Sequence, residues 1–151
     1  MKKVLFVCTG NSCRSVMAEW IFKKLTEGRE AEFKAGSAGI SAMDGFPPTD
    51  DTVQVMRENG IDVTHHRTRR LVAPLLEEAD QVYVMEQFHR DWITRLFPDS
   101  KGKVRLLSEY AGESEPYRQA DIPDPIRMSS QFYRNVFGMI QRCVQKIVEE
   151  L

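Results

Sequence analysis

The chain of 151 residues lacks several features that would assign it to a class at once. No apolar run reaches the roughly 20 residues that a membrane-spanning helix needs. Met1, Lys2 and Lys3 lead into only a short apolar stretch, so we expect neither a signal peptide nor insertion into a membrane. An excess of basic charge is also missing. The formal net charge of −1 argues against a nucleic-acid or acidic-membrane partner.

Cysteine is scarce as well. Cys8, Cys13 and Cys143 are odd in number and do not have metal-ligand spacing. We therefore expect no metal, no cofactor and no disulfide framework, and a reducing cytoplasm as the natural setting. A chain of this length buries about 68–70% of its unfolded surface. Residues 1–151 are thus expected to form one domain without disulfide bonds. The simplest expectation for the oligomeric state is a monomer.

The most informative stretch is residues 4–15, whose sequence is VLFVCTGNSCRS. Its apolar, β-branched beginning predicts a buried strand over residues 3–8. Gly10 and Asn11 tolerate left-handed backbone, and Ser15 is a good N-cap for a helix over residues 15–27. The backbone amides of such a loop can converge on one point, where the helix N-terminus adds positive potential. The stretch therefore predicts an anion site.

Two side chains give this anion site a chemistry. Cys8 stands at its entrance, where positive potential favours the thiolate, which is the nucleophilic form. Arg14 closes the loop and can hold two oxygens of a tetrahedral anion at once. The alternative is that Cys8 ends a core strand and Arg14 is an ordinary first-turn residue. The predicted phosphate-binding residues are Thr9, Gly10, Asn11, Ser12, Cys13 and Arg14.

The rest of the chain alternates between strand and helix patterns. Further strands are predicted over residues 31–37, 81–85 and 104–107, and further helices over residues 49–59, 71–78, 86–97 and 129–151. Met17, Ile21 and Leu25 are predicted to share the buried face of the first helix. The last helix carries an apolar stripe that comprises Val136, Ile140, Cys143, Val144 and Ile147. This alternation predicts an α/β fold, flavodoxin-like or Rossmann-like, with a parallel sheet and helices on both faces.

The segment 7–19, VCTGNSCRSVMAE, resembles the signature of the low-molecular-weight protein tyrosine phosphatase family, which also contains protein arginine phosphatases. The resemblance covers nearly the whole chain. It implies a four-stranded parallel sheet in the order 2-1-3-4 and a phosphorylated protein as substrate, hydrolysed through a phosphocysteine at Cys8. Val16 departs from the pattern, since the family usually has proline there. Proline mainly presets φ in the first helical turn, so we expect Val16 to change no chemistry.

Phosphoryl transfer to a thiolate requires a proton for the leaving group. The family carries its general acid in an Asp-Pro pair before the last helix, and the matching residue here is Asp124. Pro125 restricts Asp124 to extended backbone, which can hold the carboxylate over the loop. Asp121 is the alternative acid. Both aspartates could also be mere turn-formers.

The resemblance also implies supporting roles around the loop. Ser15 would donate a hydrogen bond to the Cys8 thiolate, and Ser37 and His66 would hold Asn11. Cys13 would either form a reversible disulfide with Cys8 or be a small buried side chain. By their sequence patterns, Cys143 is expected in the core and His89 on an exposed helical surface without a function.

The choice of phosphorylated residue depends on the pocket walls, which the resemblance places at Phe46 and Ile126. Family tyrosine phosphatases usually have an aromatic residue at the position of Ile126. They often carry isoleucine at the position of Ser12, where arginine phosphatases carry threonine. The segment 122–125 and Arg127 instead resemble bacterial tyrosine phosphatases, and we expect phosphotyrosine, with phosphoarginine as the alternative.

Two other functions are disfavoured. Arsenate reductases of the thioredoxin-linked type share this loop but need further cysteines near the third strand, and residues 78–98 contain none. A non-catalytic phosphate-binding module would not need Cys8 and Asp124 together.

Overall fold

Four parallel strands form one sheet in the order β2-β1-β3-β4 in the computed structural model, which describes residues 1–151. The strands are β1 (Lys2–Cys8), β2 (Phe33–Gly39), β3 (Gln81–Val84) and β4 (Val104–Leu106). The helices are α1 (Arg14–Leu25), α2 (Asp50–Glu58), α3 (Ala73–Glu78), α4 (Gln87–Leu96) and α5 (Ser130–Glu150). Two short 3₁₀ helices span Pro98–Lys103 and Leu107–Tyr110. The predicted fold and strand order are confirmed.

Strand β1 lies in the centre of the sheet because its side chains are apolar on both faces. Val4, Phe6 and Cys8 belong to a core that includes α1 and α5, whereas Leu5 and Val7 belong to the core on the α3 and α4 side. This double burial explains the continuous apolar run in the sequence. The carboxyl end of a central parallel strand is also where open α/β sheets place their ligand sites.

The last helix confirms its predicted stripe, because all five members are buried. Cys143 belongs to this core, and burial raises the pKa of its thiol to about 12. The predicted stripe of α1 is only partly right. Met17 and Ile21 are buried, but Leu25 is 39% exposed because the helix ends there, beyond the packing partners.

Several boundaries differ from the predictions. Strand β2 begins two residues late, at Phe33, because residues 29–32 form a turn closed by a hydrogen bond from the Glu32 N–H to the Arg29 carbonyl. The predicted loop 108–127 is not wholly irregular, since Leu107–Tyr110 is a 3₁₀ helix. None of the helices is long and apolar enough to cross a membrane.

The N-terminus of α1 also corrects a prediction. Ser15 is not the N-cap, because the helix begins at Arg14 and the N-cap position falls on Cys13, which makes no side-chain capping bond. The Ser15 hydroxyl is buried and bonded elsewhere, as described below.

Gly39, at the end of β2, allows the β1–α1 loop to pack closely against the sheet. A Cβ atom at this position would lie 2.5 Å from the Thr9 carbonyl oxygen and 2.9 Å from the Asn11 nitrogen. Ile40 and Ser41 then donate backbone hydrogen bonds to the carbonyls of Cys8 and Thr9. The loop is therefore seated directly on the backbone that follows β2.

Candidate active site

Residues 8–15, which comprise the β1–α1 loop, the end of β1 and the start of α1, surround the buried sulfur of Cys8. The Ser15 hydroxyl lies 3.0 Å from Cys8 Sγ, and the Asn11 backbone N–H donates to the same sulfur at 3.3 Å. The Asn11 side-chain amide donates to Ser15 Oγ at 2.8 Å, so the hydroxyl proton of Ser15 remains free to point at the sulfur. Both contacts can stabilise negative charge on Sγ.

The same loop offers free backbone donors. The N–H groups of Thr9, Gly10, Ser12 and Cys13 make no hydrogen bond to another protein group. Consecutive unpaired amides beside a helix N-terminus are the arrangement that binds anions.

Asn11 holds the loop in shape. Its φ of 56° is left-handed, and asparagine adopts this conformation more readily than most residues. Its amide nitrogen also donates to Ser37 Oγ at 2.8 Å, and its side-chain oxygen accepts the Arg69 N–H at 3.0 Å. The His66 ring contacts the Asn11 carbonyl through Nε2 at 3.1 Å. The structure therefore brings Ser37 and His66 to Asn11.

His66 is neutral in this setting. A carbonyl accepts only, so Nε2 carries the proton, and Nδ1 is left to accept from the Trp20 indole N–H at 3.5 Å. Burial lowers the pKa of His66, although the carboxylate of Glu19 partly opposes the shift. Of the adjacent pair, His66 is buried and His65 is exposed, and His66 is the histidine that contacts the loop.

Glu19 is the last residue of the hydrogen-bond network that runs from Asn11 through Ser37, and its role was not predicted from the sequence. The residue is only 6% exposed, and its carboxylate accepts hydrogen bonds from Ser37 Oγ at 2.5 Å and Lys23 Nζ at 2.6 Å. A glutamate four residues before a lysine normally indicates a surface pair. Only its place directly after the loop signature could have indicated a buried role.

Arg14 is almost fully buried, and protein groups occupy one end of its guanidinium. Nη1 donates to Glu86 Oε2 and to the Ile122 carbonyl, both at 2.7 Å. Nη2 lies 3.9 Å from Asp124 Oδ2. The guanidinium is thus fixed by the bonds at Nη1, while its other N–H donors can bind an anion. Glu86 was not predicted, because nothing in the sequence distinguishes it from other first-turn glutamates.

Asp124 and Asp121 lie in different surroundings. Asp124 is 45% exposed, beside Arg14, and its Oδ1 accepts the Ile126 N–H at 3.0 Å. Asp121 accepts the N–H of Gln87 at the start of α4, at 2.8 Å. Asp121 therefore anchors the loop, whereas Asp124 is the aspartate next to the guanidinium.

Comparison with known proteins identifies the family of this chain. The model of the family described as low molecular weight phosphotyrosine protein phosphatase matches residues 3–151. The chain belongs to this family. Its members are phosphatases, and therefore hydrolases, as the resemblance in the loop had implied.

Individual relatives cover the chain almost completely. The probable low molecular weight protein-tyrosine-phosphatase EpsP of Ralstonia solanacearum is 35% identical over 100% of this chain and 97% of its own. A protein-arginine-phosphatase of Geobacillus stearothermophilus is 31% identical over 99% of this chain and 95% of its own. The crystal structure of a low molecular weight protein tyrosine phosphatase from T. tengcongensis is 34% identical, with a TM-score of 0.90 and full coverage of both chains.

His89 corrects a prediction in this phosphatase, because it is fully buried and not exposed. It shares the inward face of α4 with Ile93, four residues later. Its Nε2 lies 2.8 Å from Thr9 Oγ1, and its Nδ1 accepts the Glu86 N–H at 3.1 Å. Burial, with the nearby Arg14 charge, lowers the pKa of His89 to about 4. The polar residue occupies a core position because both ring nitrogens have partners.

Cys13 is a buried free thiol in the phosphatase loop. Its sulfur lies 3.7 Å from Ser12 Oγ, 3.8 Å from Tyr133 Oη and 3.9 Å from Thr49 Oγ1. Burial raises the pKa of this thiol, so it stays protonated at neutral pH.

The residues expected as substrate walls are both exposed, Phe46 by 53% and Ile126 by 41%. Thr68 fixes the position of Phe46: its hydroxyl accepts the Phe46 N–H at 3.0 Å, and its own N–H donates to the Phe46 carbonyl at 2.7 Å. Because the backbone of Phe46 is fixed by these hydrogen bonds and its side chain is exposed, the ring is available to contact a substrate.

Proposed function

We propose that this chain hydrolyses phosphotyrosine in proteins through a phosphocysteine intermediate. The observation that carries the proposal is the arrangement around Cys8 Sγ, with two donors at 3.0 and 3.3 Å, in a loop of unpaired amides that ends at the buried Arg14. Such an arrangement supports a thiolate nucleophile and the phosphoryl oxygens it would attack.

The first step transfers the phosphoryl group from substrate to enzyme. Cys8 Sγ attacks phosphorus while the loop amides and Arg14 hold the non-bridging oxygens. Protonated Asp124 gives its proton to the departing phenolate oxygen. Asp124 Oδ2 lies 3.9 Å from Arg14 Nη2, and this proximity supports the role proposed for the carboxyl group.

The second step releases phosphate. The Asp124 carboxylate takes a proton from water, and that water attacks phosphorus and breaks the S–P bond. The hydroxyl of Ser15, already supported by Asn11, donates to the sulfur as it leaves as thiolate. We also propose that the enzyme acts as a monomer. The compartment we propose is a reducing one such as the cytoplasm, because oxidation of Cys8 would abolish both steps.

Replacing the nucleophile tests the mechanism directly. We expect Cys8→Ser to reduce hydrolysis of an aryl phosphate to a trace while inorganic phosphate still binds, because the amides and Arg14 remain. Steady-state kinetics and calorimetric titration with phosphate measure the two effects. Cys143→Ala is the matched control, since it removes a thiol remote from the loop. Substantial turnover by Cys8→Ser would show that the covalent mechanism is wrong.

Replacing the proposed acid gives a second prediction. Asp124→Ala should slow aryl phosphate hydrolysis by about 10²- to 10⁴-fold, the usual contribution of general acid–base catalysis. The loss should shrink for substrates whose leaving group is a weak base and needs no proton. Asp121→Ala is the comparison, and an equal or larger loss there would reassign the acid.

Phosphoarginine is the second candidate substrate, and Ser12 and Ile126 favour it. The Ser12 hydroxyl puts a polar group in the phosphate loop, and the exposed Ile126 provides no aromatic wall for a tyrosine ring. A relative that is 31% identical is named a protein-arginine-phosphatase. The segment 122–125 and Arg127 still favour phosphotyrosine, as do the tyrosine-phosphatase names of other relatives.

Substitutions at Ser12 separate the two substrates. We expect Ser12→Ile to raise kcat/KM on phosphotyrosine peptides by adding apolar surface, and Ser12→Thr to raise it on matched phosphoarginine peptides. Pocket changes of this size are worth about 1–3 kcal/mol. An unchanged ratio of the two kcat/KM values in Ser12→Ile would exclude this position as the selector and point to Phe46 and Ile126.

We further propose that Cys13 protects the nucleophile from irreversible oxidation. Peroxide would oxidise the Cys8 thiolate to a sulfenic acid, and the Cys13 thiol would then displace water to form a disulfide. Burial raises the pKa of Cys13, so its own thiol reacts with peroxide less readily than a thiolate would.

Mild peroxide should therefore inactivate the enzyme reversibly, with a Cys8–Cys13 disulfide seen by peptide mass mapping and activity restored by a thiol reductant. In Cys13→Ser the same treatment should leave less recoverable activity, because Cys8 is over-oxidised. A disulfide between Cys8 and Cys143 would contradict the proposal.

A further inference from the structure

His89 and Thr9 form a contact that the mechanism above does not use. Thr9 directly follows the nucleophile, and its hydroxyl makes one hydrogen bond in the structure, to His89 Nε2 at 2.8 Å. The histidine is completely buried, whereas Thr9 is half-buried. A buried histidine that bonds to such a hydroxyl needs an explanation beyond packing.

The hydrogen bonds of the ring decide the direction of this contact. Nδ1 accepts the backbone N–H of Glu86, so it carries no proton. The neutral ring therefore has its proton on Nε2 and donates it to Thr9 Oγ1. As the acceptor, the Thr9 hydroxyl keeps its own proton for another partner.

The turn that holds His89 also holds the other end of the loop. The Glu86 side chain accepts the N–H of His89 in a reciprocal capping box at the start of α4. The same carboxylate accepts from Arg14 Nη1 at 2.7 Å. Residues 9 and 14, which enclose the phosphate loop, are thus both tied to one short turn after β3.

We propose that His89 is a positioning residue that acts through the Thr9 hydroxyl, fixing the backbone beside Cys8 and leaving the Thr9 proton for a phosphoryl oxygen. This inference rests on the proposed function, because it assigns a role within the same site. His89 is not itself an acid or base in the reaction, since both of its ring nitrogens are occupied inside the protein.

Two substitutions of His89 separate its two hydrogen bonds. His89→Asn places an amide oxygen near the position of Nδ1 and can keep the capping bond, but it no longer reaches Thr9. His89→Gln places an amide N–H near the position of Nε2 and can keep the bond to Thr9. We expect His89→Asn to lose about 3- to 10-fold in both kcat/KM and inorganic phosphate affinity, the scale of one hydrogen bond. His89→Gln should lose less.

A double-mutant cycle then tests the coupling. Thr9→Val should lose at least as much as His89→Asn, and the double variant should be no worse than Thr9→Val alone. If the fold-losses of the two single variants multiply in the double variant, the inference is wrong. An equal loss in His89→Gln and His89→Asn would also overturn it. His65→Asn is the matched control and should leave both constants unchanged.

Two further measurements keep the inference testable if a His89 variant does not fold. Thr9→Ser retains the hydroxyl and should keep the phosphate affinity that Thr9→Val loses. ¹⁵N NMR of the wild-type protein should show His89 as the Nε2–H tautomer, and the opposite tautomer would contradict the inference. Phosphate titration measures binding and needs no turnover. An inactive wild-type protein would overturn the proposed function, and the titrations would still test the role of His89.

Discussion

The side chain of Asn11 is the constraint on which the site depends. Its amide and carbonyl oxygen bind Ser15, Ser37 and the Arg69 N–H, which belong to α1, β2 and the segment before α3. These bonds hold a left-handed residue in the middle of a loop that has few hydrogen bonds of its own. Without such external partners, nothing within the loop would hold its four unpaired N–H groups in this conformation.

Arg14 shows how the fold accommodates a buried charge. An unpaired guanidinium in a protein interior is costly, but a carboxylate and a carbonyl both accept from Nη1. The carbonyl belongs to Ile122, whose N–H is bonded to the Met85 carbonyl at the end of β3. The partners of Arg14 therefore also position the loop that carries Asp124. No buried side-chain nitrogen or oxygen in the protein lacks a hydrogen-bond partner.

Particular elements show how far sequence patterns could be used. The strand-loop-helix pattern around Cys8 predicted the loop between β1 and α1, and the strand and helix alternation predicted the sheet, because both depend on local periodicity. His89 was assigned to the surface because a polar residue in a helix is normally exposed. Its burial depends on partners 80 and 3 residues away in the chain, at Thr9 and Glu86. The local pattern likewise assigned Ser15 to a cap, and only the family resemblance assigned its hydroxyl to Cys8, from which it lies 3.0 Å away.

The sequence by itself determined the class of fold and the spacing of Cys8, the loop and Arg14, since these follow from patterns along continuous segments. Only the tertiary structure decided which carboxylates lie near this loop and contact it. Glu86 lies against Arg14, Asp124 lies beside it, Asp121 anchors α4, and Glu19 ends the asparagine network. These residues come from separate elements, and their roles depend on the folded distances between charges and on burial, neither of which a linear pattern contains.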